Sequence, residues 1–311
     1  MSKANMVKQA QSEADELKSL ADKFLASKGV AKSKDVKEAT VLEPAATNAK
    51  PNILIAMPCY AGQIHCMTVN MLMSLTRLLT KEGIKHETHF VCESLVPRAR
   101  NQLASTAAFS TDAEARPFDS ILFIDADISF DAAWVLKLLD TNLPVVGLPC
   151  SRKVLNLGMV AEAAKRGIDP ASLLAFAGSP VLAVNESFNV SDKPVPVVHF
   201  GTGVMLIQTS VLKALAELHP ERRYRPNVAY DLKLEFNYDF FRCGTRGDTY
   251  LSEDYFFLED VANDLKIQPH IIPSARTYHV GSQIFEMDMS ALASLHGVLE
   301  QQQRMNAAQS A

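Results

Sequence analysis

The sequence predicts an α/β fold, a doubly wound sheet with helices on both faces. Three observations predict it. Short runs such as Asn52–Met57 and Ser120–Ile124 are almost wholly apolar, as strands buried on both sides are. Longer stretches carry apolar residues at helical spacing and separate those runs. The two kinds alternate, which implies a parallel-rich sheet joined by right-handed crossovers. At 311 residues and 48% hydrophobic content, the chain is long enough to bury a real core.

The elements follow in order. Residues 1–28 read as a helix, because Leu17, Leu20, Ala21, Phe24 and Leu25 recur at helical spacing, and Gly29 ends it. Residues 30–50 lose all period and read as a linker. Two roles for this 1–50 extension stay open: a mobile tail, or a helix for partner docking or homo-oligomer formation. The main domain spans 51–311. Asn52–Met57 is its first strand, ended by Pro58. A helix over 64–81 places Met67, Met71, Leu75, Leu78 and Leu79 on one side. A strand over 88–92, a helix over 97–109, the strand 120–124, a helix over 131–139 and a strand over 144–148 continue the alternation. Residues 151–196 are less regular, with helical segments near 159–166 and 170–176. Strands over 197–200 and 203–208 flank Gly201-Thr202-Gly203. Residues 219–250, rich in Arg, Tyr, Asp and Asn, read as a loop over a site. A helix over 252–264, a strand over 267–272 and a helix over 288–304 close the chain. No internal repeat is visible.

Composition excludes several classes. A net charge of -4 argues against a strongly basic nucleic-acid platform. No apolar run approaches the ~20 residues of a transmembrane helix. The N-terminus lacks the pattern of a signal peptide. Five cysteines without paired metal spacing read as reduced thiols. The expected location is therefore the cytoplasm, the host's if the protein is viral.

Chemistry concentrates at Ile121-Leu-Phe-Ile-Asp125-Ala-Asp127. Four apolar residues drive a strand into the core, and two carboxylates follow at its C-terminal end. Residues i and i+2 of an extended chain point the same way, so both carboxylates can converge. In an open α/β sheet, ligands bind at that end. Two close carboxylates are costly unless a cation lies between them, and oxygen donors suit Mn²⁺ or Mg²⁺. The alternative is one helix cap and one solvated Asp. A second cluster is Ser94-Leu-Val-Pro97-Arg98-Ala-Arg100-Asn101, where Pro97 suits the first helical turn and the helix N-terminus suits an anion. Arg98, Arg100 and Asn101 are placed to contact the Asp pair, a phosphate or a ribose; surface arginines are the alternative. In Ser252-Glu253-Asp254, the acids suit the first turn of a helix, and either can serve as general base to an acceptor hydroxyl. His279 is a structural residue or a second metal ligand. Gly201-Thr202-Gly203 is a turn or a place where backbone approaches a sugar. No P-loop motif is present.

In order along the chain, Met57-Pro58-Cys59-Tyr60, Ser94 to Asn101, Asp125-Ala-Asp127, Gly201 to Gly203, Ser252 to Asp254 and His279 resemble a GT-A glycosyltransferase. The likeness spans about residues 51–285 and is nearest to compact bacterial, phage and large-virus forms. It implies a GT-A-like, Rossmann-like mixed sheet with flanking helices. It implies sugar transfer from a nucleotide-diphosphate sugar, UDP-linked by preference, to a hydroxyl of a glycan, protein or hydroxylated DNA base. Pro58, Cys59 and Tyr60 would line the base pocket. Arg98 would approach the donor, with Ser94, Arg100 or Asn101 supporting the site. Asp127 would bind the metal, His279 would add a second contact, and Asp125 would hold metal, ribose or sugar. Glu253 or Asp254 would act as base in an inverting reaction. Tyr224, Tyr230, Tyr238, Phe240 and Phe241 would close over the donor or pack in the core. Arg222, Arg223, Arg225, Arg242 and Arg246 would contact phosphates of a DNA acceptor. The alternatives are a nucleotidyltransferase, whose Gly-rich basic loop is absent here, and a non-catalytic nucleotide- or sugar-binding protein.

Overall fold

The computed structural model describes residues 50–186, 188–226 and 234–281. The helices expected over 1–28 and 288–304, the 30–49 linker and Tyr230 lie outside the described residues. The sheet and its helices all lie before Gly281. Fifteen strands are described. They are β1 (Asn52–Cys59), β2 (Lys85–Cys92), β3 (Ser120–Ile124), β4 (Ile128–Phe130), β5 (Val145–Gly147), β6 (Leu182–Ala183), β7 (Val195–Pro196), β8 (His199–Phe200), β9 (Val204–Gln208), β10 (Arg223–Tyr224), β11 (Asn237–Tyr238), β12 (Gly244–Arg246), β13 (Thr249–Leu251), β14 (His270–Ile271) and β15 (Thr277–His279). The α-helices are α1 (Cys66–Lys81), α2 (Val96–Phe109), α3 (Ala133–Asp140), α4 (Leu157–Lys165), α5 (Thr209–Leu218) and α6 (Glu253–Asp264).

Seven strands form one sheet in the order β2-β1-β3-β9-β5-β14-β7. β1 pairs in parallel with β2 and with β3, and β14 pairs in parallel with β5. β9 runs antiparallel to both of its neighbours, and β7 runs antiparallel to β14. This is the doubly wound mixed sheet with flanking helices that the sequence predicts. Alternate residues of each strand enter opposite cores, as the two-residue period requires. Leu54, Ala56, Ile121 and Phe123 pack with Ala99 and Leu103 of α2, Val211 and Leu215 of α5, and Phe257 and Val261 of α6. Ile53, Ile55, Met57, Leu122 and Ile124 pack with Met71 and Leu75 of α1 and Val135 and Leu138 of α3. α1 and α2 therefore cover opposite faces. The chain leaves β1 for β2 on one side and returns to β3 on the other. In such sheets ligands bind at a switch of this kind, at the carboxyl ends of the strands.

Several elements differ from expectation. β1 does not stop before Pro58 but runs through Cys59. Pairing with β3 ends at Ala56, so only β2 lies alongside Pro58, an edge-like setting that tolerates proline. β2 begins at Lys85 and carries Lys85, His86 and Glu87, which suit an edge strand. α5 is an addition to the expected elements, with Val211, Leu212 and Leu215 buried at helical spacing. The 170–176 segment is a 3₁₀ turn. The described part of 219–250 is not a plain loop: it carries β10 to β13, and Phe240 and Phe241 lie in the core. Phe241 stacks on Phe257 at 4.5 Å and meets Phe123 edge-on at 5.2 Å. These two rings are packing residues, not a cover for a ligand.

Candidate active site

The candidate site is built from strand ends. β3 delivers Asp125 at its tip, where Asp125 N–H donates to the Gly203 carbonyl at 3.1 Å. A short ribbon then fixes Asp127. β4 pairs antiparallel with β15, which sets His279 opposite Ile128, and Val280 N–H donates to the Asp127 carbonyl at 2.8 Å. His279 Nε2 comes within 3.2 Å of Asp127 Oδ1, while its Nδ1–H donates to the Ser151 carbonyl at 2.6 Å. Lys153 forms an ion pair with the other oxygen, Oδ2. Burial alone would raise the Asp127 carboxyl, but hydrogen bonds from His279 and Lys153 hold it below the usual carboxylate range. Burial would likewise lower His279, and Asp127 outweighs it, so the imidazole's pKa is raised. The two carboxylates thus face different cations. Arg100 Nη2 donates to Asp125 Oδ1 at 2.8 Å and its Nε to Glu253 Oε1 at 3.4 Å.

Arg100 is only 4% exposed at its side chain. Burial alone would weaken its charge, yet Asp125 and Glu253 more than offset that and keep it a cation. Its Nη1 is buried without a hydrogen-bond partner. Glu253 is pushed above the ordinary carboxylate range, first by burial and then by Asp254 and Asp125, against the pull of Arg100. Asp254 takes hydrogen bonds at Oδ1 from Ser252 Oγ and from Tyr255 N–H. Its Oδ2 lies 3.6 Å from where a Cβ on Gly201 would stand, so the glycine backbone runs close past this carboxylate. A Cβ on Gly203 would come within 2.8 Å of Cys150 Sγ. The approach at Gly203 leaves no room for a side chain without a shift, whereas at Gly201 a Cβ would meet Val181 Cγ1 at 3.3 Å. Thr202, between them, is buried.

The other expected residues fall in two groups. Ser94 lies two residues before α2, beside Glu93, a buried carboxylate that accepts from Ser94 N–H at 2.8 Å, Leu95 N–H at 3.2 Å and Arg98 Nη2 at 2.6 Å. Arg98 therefore lies on Glu93. Asn101 turns away from the Asp pair. Its amide donates to Asp239 at 2.7 Å and accepts from Phe241 N–H at 2.6 Å, which ties α2 to the 238–241 segment. At the end of β1, Pro58 and Cys59 are buried while Tyr60 is 68% exposed. Ala61 (φ 54°) and Gly62 (φ 68°) follow in the left-handed region. A non-glycine residue there stores backbone strain, a feature concentrated at ligand sites. Burial pushes the Cys59 thiol up to about 11 and the Cys150 thiol up to about 12, so both stay protonated and are poor nucleophiles at neutral pH.

Three participants were missed from sequence: Lys153, Glu93 and the Ser151 carbonyl. Ser151 and Lys153 follow the carboxyl end of β5. The rule that flagged Asp125, ligand groups at strand ends, applies there too. The β4–β15 ribbon that carries His279, with Ser129 opposite Tyr278, had no such local signal, because its strands are three residues each and far apart in the chain.

The residues fit a divalent ion in part. Two neighbouring ligands of an octahedral ion with bonds near 2.1 Å stand about 3 Å apart, close to the Asp127–His279 separation. The Ser151 carbonyl orients His279 through Nδ1, so that Nε2, which now donates to Asp127, would face an ion once its proton is lost, as second-shell partners of metal-binding histidines arrange. A carboxylate plus an imidazole suits Mn²⁺ better than Mg²⁺. Among the described residues no set of three or more His, Cys, Asp or Glu converges to hold an ion. Substrate phosphates and water would complete the shell.

No family model and no curated relative matches the chain. Among solved structures it is similar to A197 from STIV, at 14% identity, TM-score 0.39, covering 74% of this chain and 86% of that one. It is also similar to GalNAc-T7 with UDP, GalNAc and Mn²⁺, at 9% identity and TM-score 0.35, covering 83% of this chain and 49% of that one. TM-scores below 0.5 leave both likenesses too weak to assign fold or activity. Among the described residues no helix is long and apolar enough to cross a membrane.

Proposed function

We propose that the protein is a metal-dependent glycosyltransferase that moves a sugar from a nucleotide-diphosphate sugar, UDP-linked by preference, to an acceptor hydroxyl. One observation carries the reading: Asp127 and His279 present adjacent oxygen and nitrogen donors at the carboxyl end of the sheet, beside the β1–β3 switch. Asp127 and His279 would hold the ion, which supplies charge neutralisation for the diphosphate. Arg100 locks Asp125 in place, leaving its second oxygen for a ribose or sugar hydroxyl. Pro58, Cys59 and Tyr60 end the strand next to this site and would border the base. Ser94, with Arg98 on Glu93, would line its far wall. Gly201, Thr202 and Gly203 would let backbone approach the sugar.

The chemistry balances. The C1–O bond to the diphosphate breaks, and its electron pair stays on the phosphate oxygen. The acceptor oxygen bonds to C1, and its proton passes to a carboxylate in an inverting reaction. Asp254, facing Gly201, is the better placed base, because Glu253 is turned toward Arg100. The acceptor class stays with glycan, protein or modified DNA.

A thermal-shift titration tests this. UDP with Mn²⁺ should raise the melting temperature of the parent chain, because a ligand of the folded state stabilises it by mass action. Asp127→Ala should abolish the Mn²⁺-dependent part. An equal shift in the variant would remove the metal role and with it the reading.

A further inference from the structure

We infer that Lys153 shares Asp127 with the metal site, yields that carboxylate to a divalent ion, and then meets the diphosphate of the donor. The inference rests on the glycosyl-transfer reading above and names a leaving-group cation for it.

The geometry separates a fixed root from a free tip. The backbone before Lys153 is pinned on two sides. Val181 N–H donates to the Cys150 carbonyl at 2.8 Å, Arg152 N–H to the Ser179 carbonyl at 2.8 Å, and Ser179 N–H to Ser151 Oγ at 3.0 Å. On the other side the Ser151 carbonyl accepts from His279. The same tripeptide therefore orients the imidazole and launches the lysine. The Lys153 side chain itself is 43% exposed, so its four-carbon stem can swing while its origin stays fixed.

Arg100 and Arg98 cannot do this. Arg100 is enclosed between Asp125 and Glu253. Arg98 lies on Glu93, whose side chain is 3% exposed, and withdrawing it would uncover a buried charge at high cost. Asp127 is 34% exposed, and an exposed pair of this kind is weak and easily exchanged. A divalent charge on Asp127 and His279 would repel the ammonium. The ammonium, freed from Asp127, would then pair with the diphosphate of the donor. Lys153 transfers no proton in this scheme; it offsets the negative charge that the departing nucleoside diphosphate gains as the C1–O bond breaks.

The test measures two affinities by calorimetry, for Mn²⁺ alone and for UDP with saturating Mn²⁺, in the parent, Lys153→Ala and Lys153→Arg. Removing the competitor should tighten Mn²⁺ binding in Lys153→Ala by roughly fivefold, the scale of an exposed ion pair. Removing the phosphate contact should weaken UDP binding by about tenfold or more, the scale of a charged hydrogen bond. Lys153→Arg should keep the UDP affinity near that of the parent. Unchanged affinities in Lys153→Ala, or weaker Mn²⁺ binding, would overturn the inference and leave the proposed function standing. A parent chain that binds neither Mn²⁺ nor UDP would overturn both.

Discussion

Glu253 shows what a buried carboxylate contributes at the level of one residue. Its side chain is partly enclosed, faces Arg100, and titrates above the ordinary glutamate range chiefly because burial penalises its charge. A carboxyl whose folded pKa is raised contributes stability that is complete below its unfolded pKa and is lost as pH rises through the folded value. Glu253→Gln removes that loss and keeps an oxygen for Arg100. Melting curves across pH should show the variant and parent alike near pH 4, with the variant the more stable at pH 7. A less stable variant at pH 7 would mean that the Arg100 pair outweighs burial. Asp112 shows the opposite sign. Burial would raise it, but hydrogen bonds from Arg116 and Glu114 hold it below the usual range, so its contribution is present near neutrality and lost in acid.

Secondary elements set how tightly this site is framed. β5 lies between β9 and β14, and its Gly147 sits against the loop that carries Gly201 to Gly203. A Cβ at Gly147 would stand 2.2 Å from the Phe200 ring and 2.5 Å from the Val204 carbonyl. The ring can shift, but the carbonyl belongs to a strand paired on both sides. Gly147→Ala should therefore cost about 1–3 kcal/mol, the range for overpacking. For a body of this size, that lowers the melting temperature by roughly 2–12 °C. A melting temperature within 1 °C of the parent would show that β9 yields more easily than its pairing implies. The α2 helix works differently: Asn101 anchors it to the 238–241 segment, and that anchoring aims Arg100 inward at Asp125.

Across the whole molecule, charge bears on the choice of acceptor. The net charge is -4, and the arginines that would contact a DNA acceptor are largely engaged within the fold. Arg222 and Arg246 both bond Asp260, and Arg246 also bonds Glu259. Arg242 lies over Phe256 and Arg223 over Phe236. Binding to duplex DNA draws mainly on phosphate contacts and weakens steeply with salt. The chain should accordingly show no salt-sensitive duplex binding at about 50 mM salt in a gel-shift assay. Tight binding that disappears with added salt would bring the DNA acceptor forward over glycan and protein.

How far the sequence reached follows from the range of the forces involved. Hydrophobic period and strand-length apolar runs are local, so the strands β1, β3, β5 and β9 and the helices α1, α2 and α6 could be read within a few residues. Placing Asp125 and Asp127 at a strand tip needed only the Ile121–Ile124 run before them. Partner choice is not local. That Arg100 rather than Asn101 turns to Asp125 depends on which face of α2 meets β3. That Asp127 meets His279 depends on a β4–β15 pairing between segments about 150 residues apart in the chain. That Lys153 enters the site depends on where the chain after β5 is pinned by 179–181. The sequence by itself determined the alternation of elements and the strand end where the carboxylates stand. Only the tertiary structure decided which cation each carboxylate faces, because electrostatic partners are chosen by distance in space, which the order of residues does not encode.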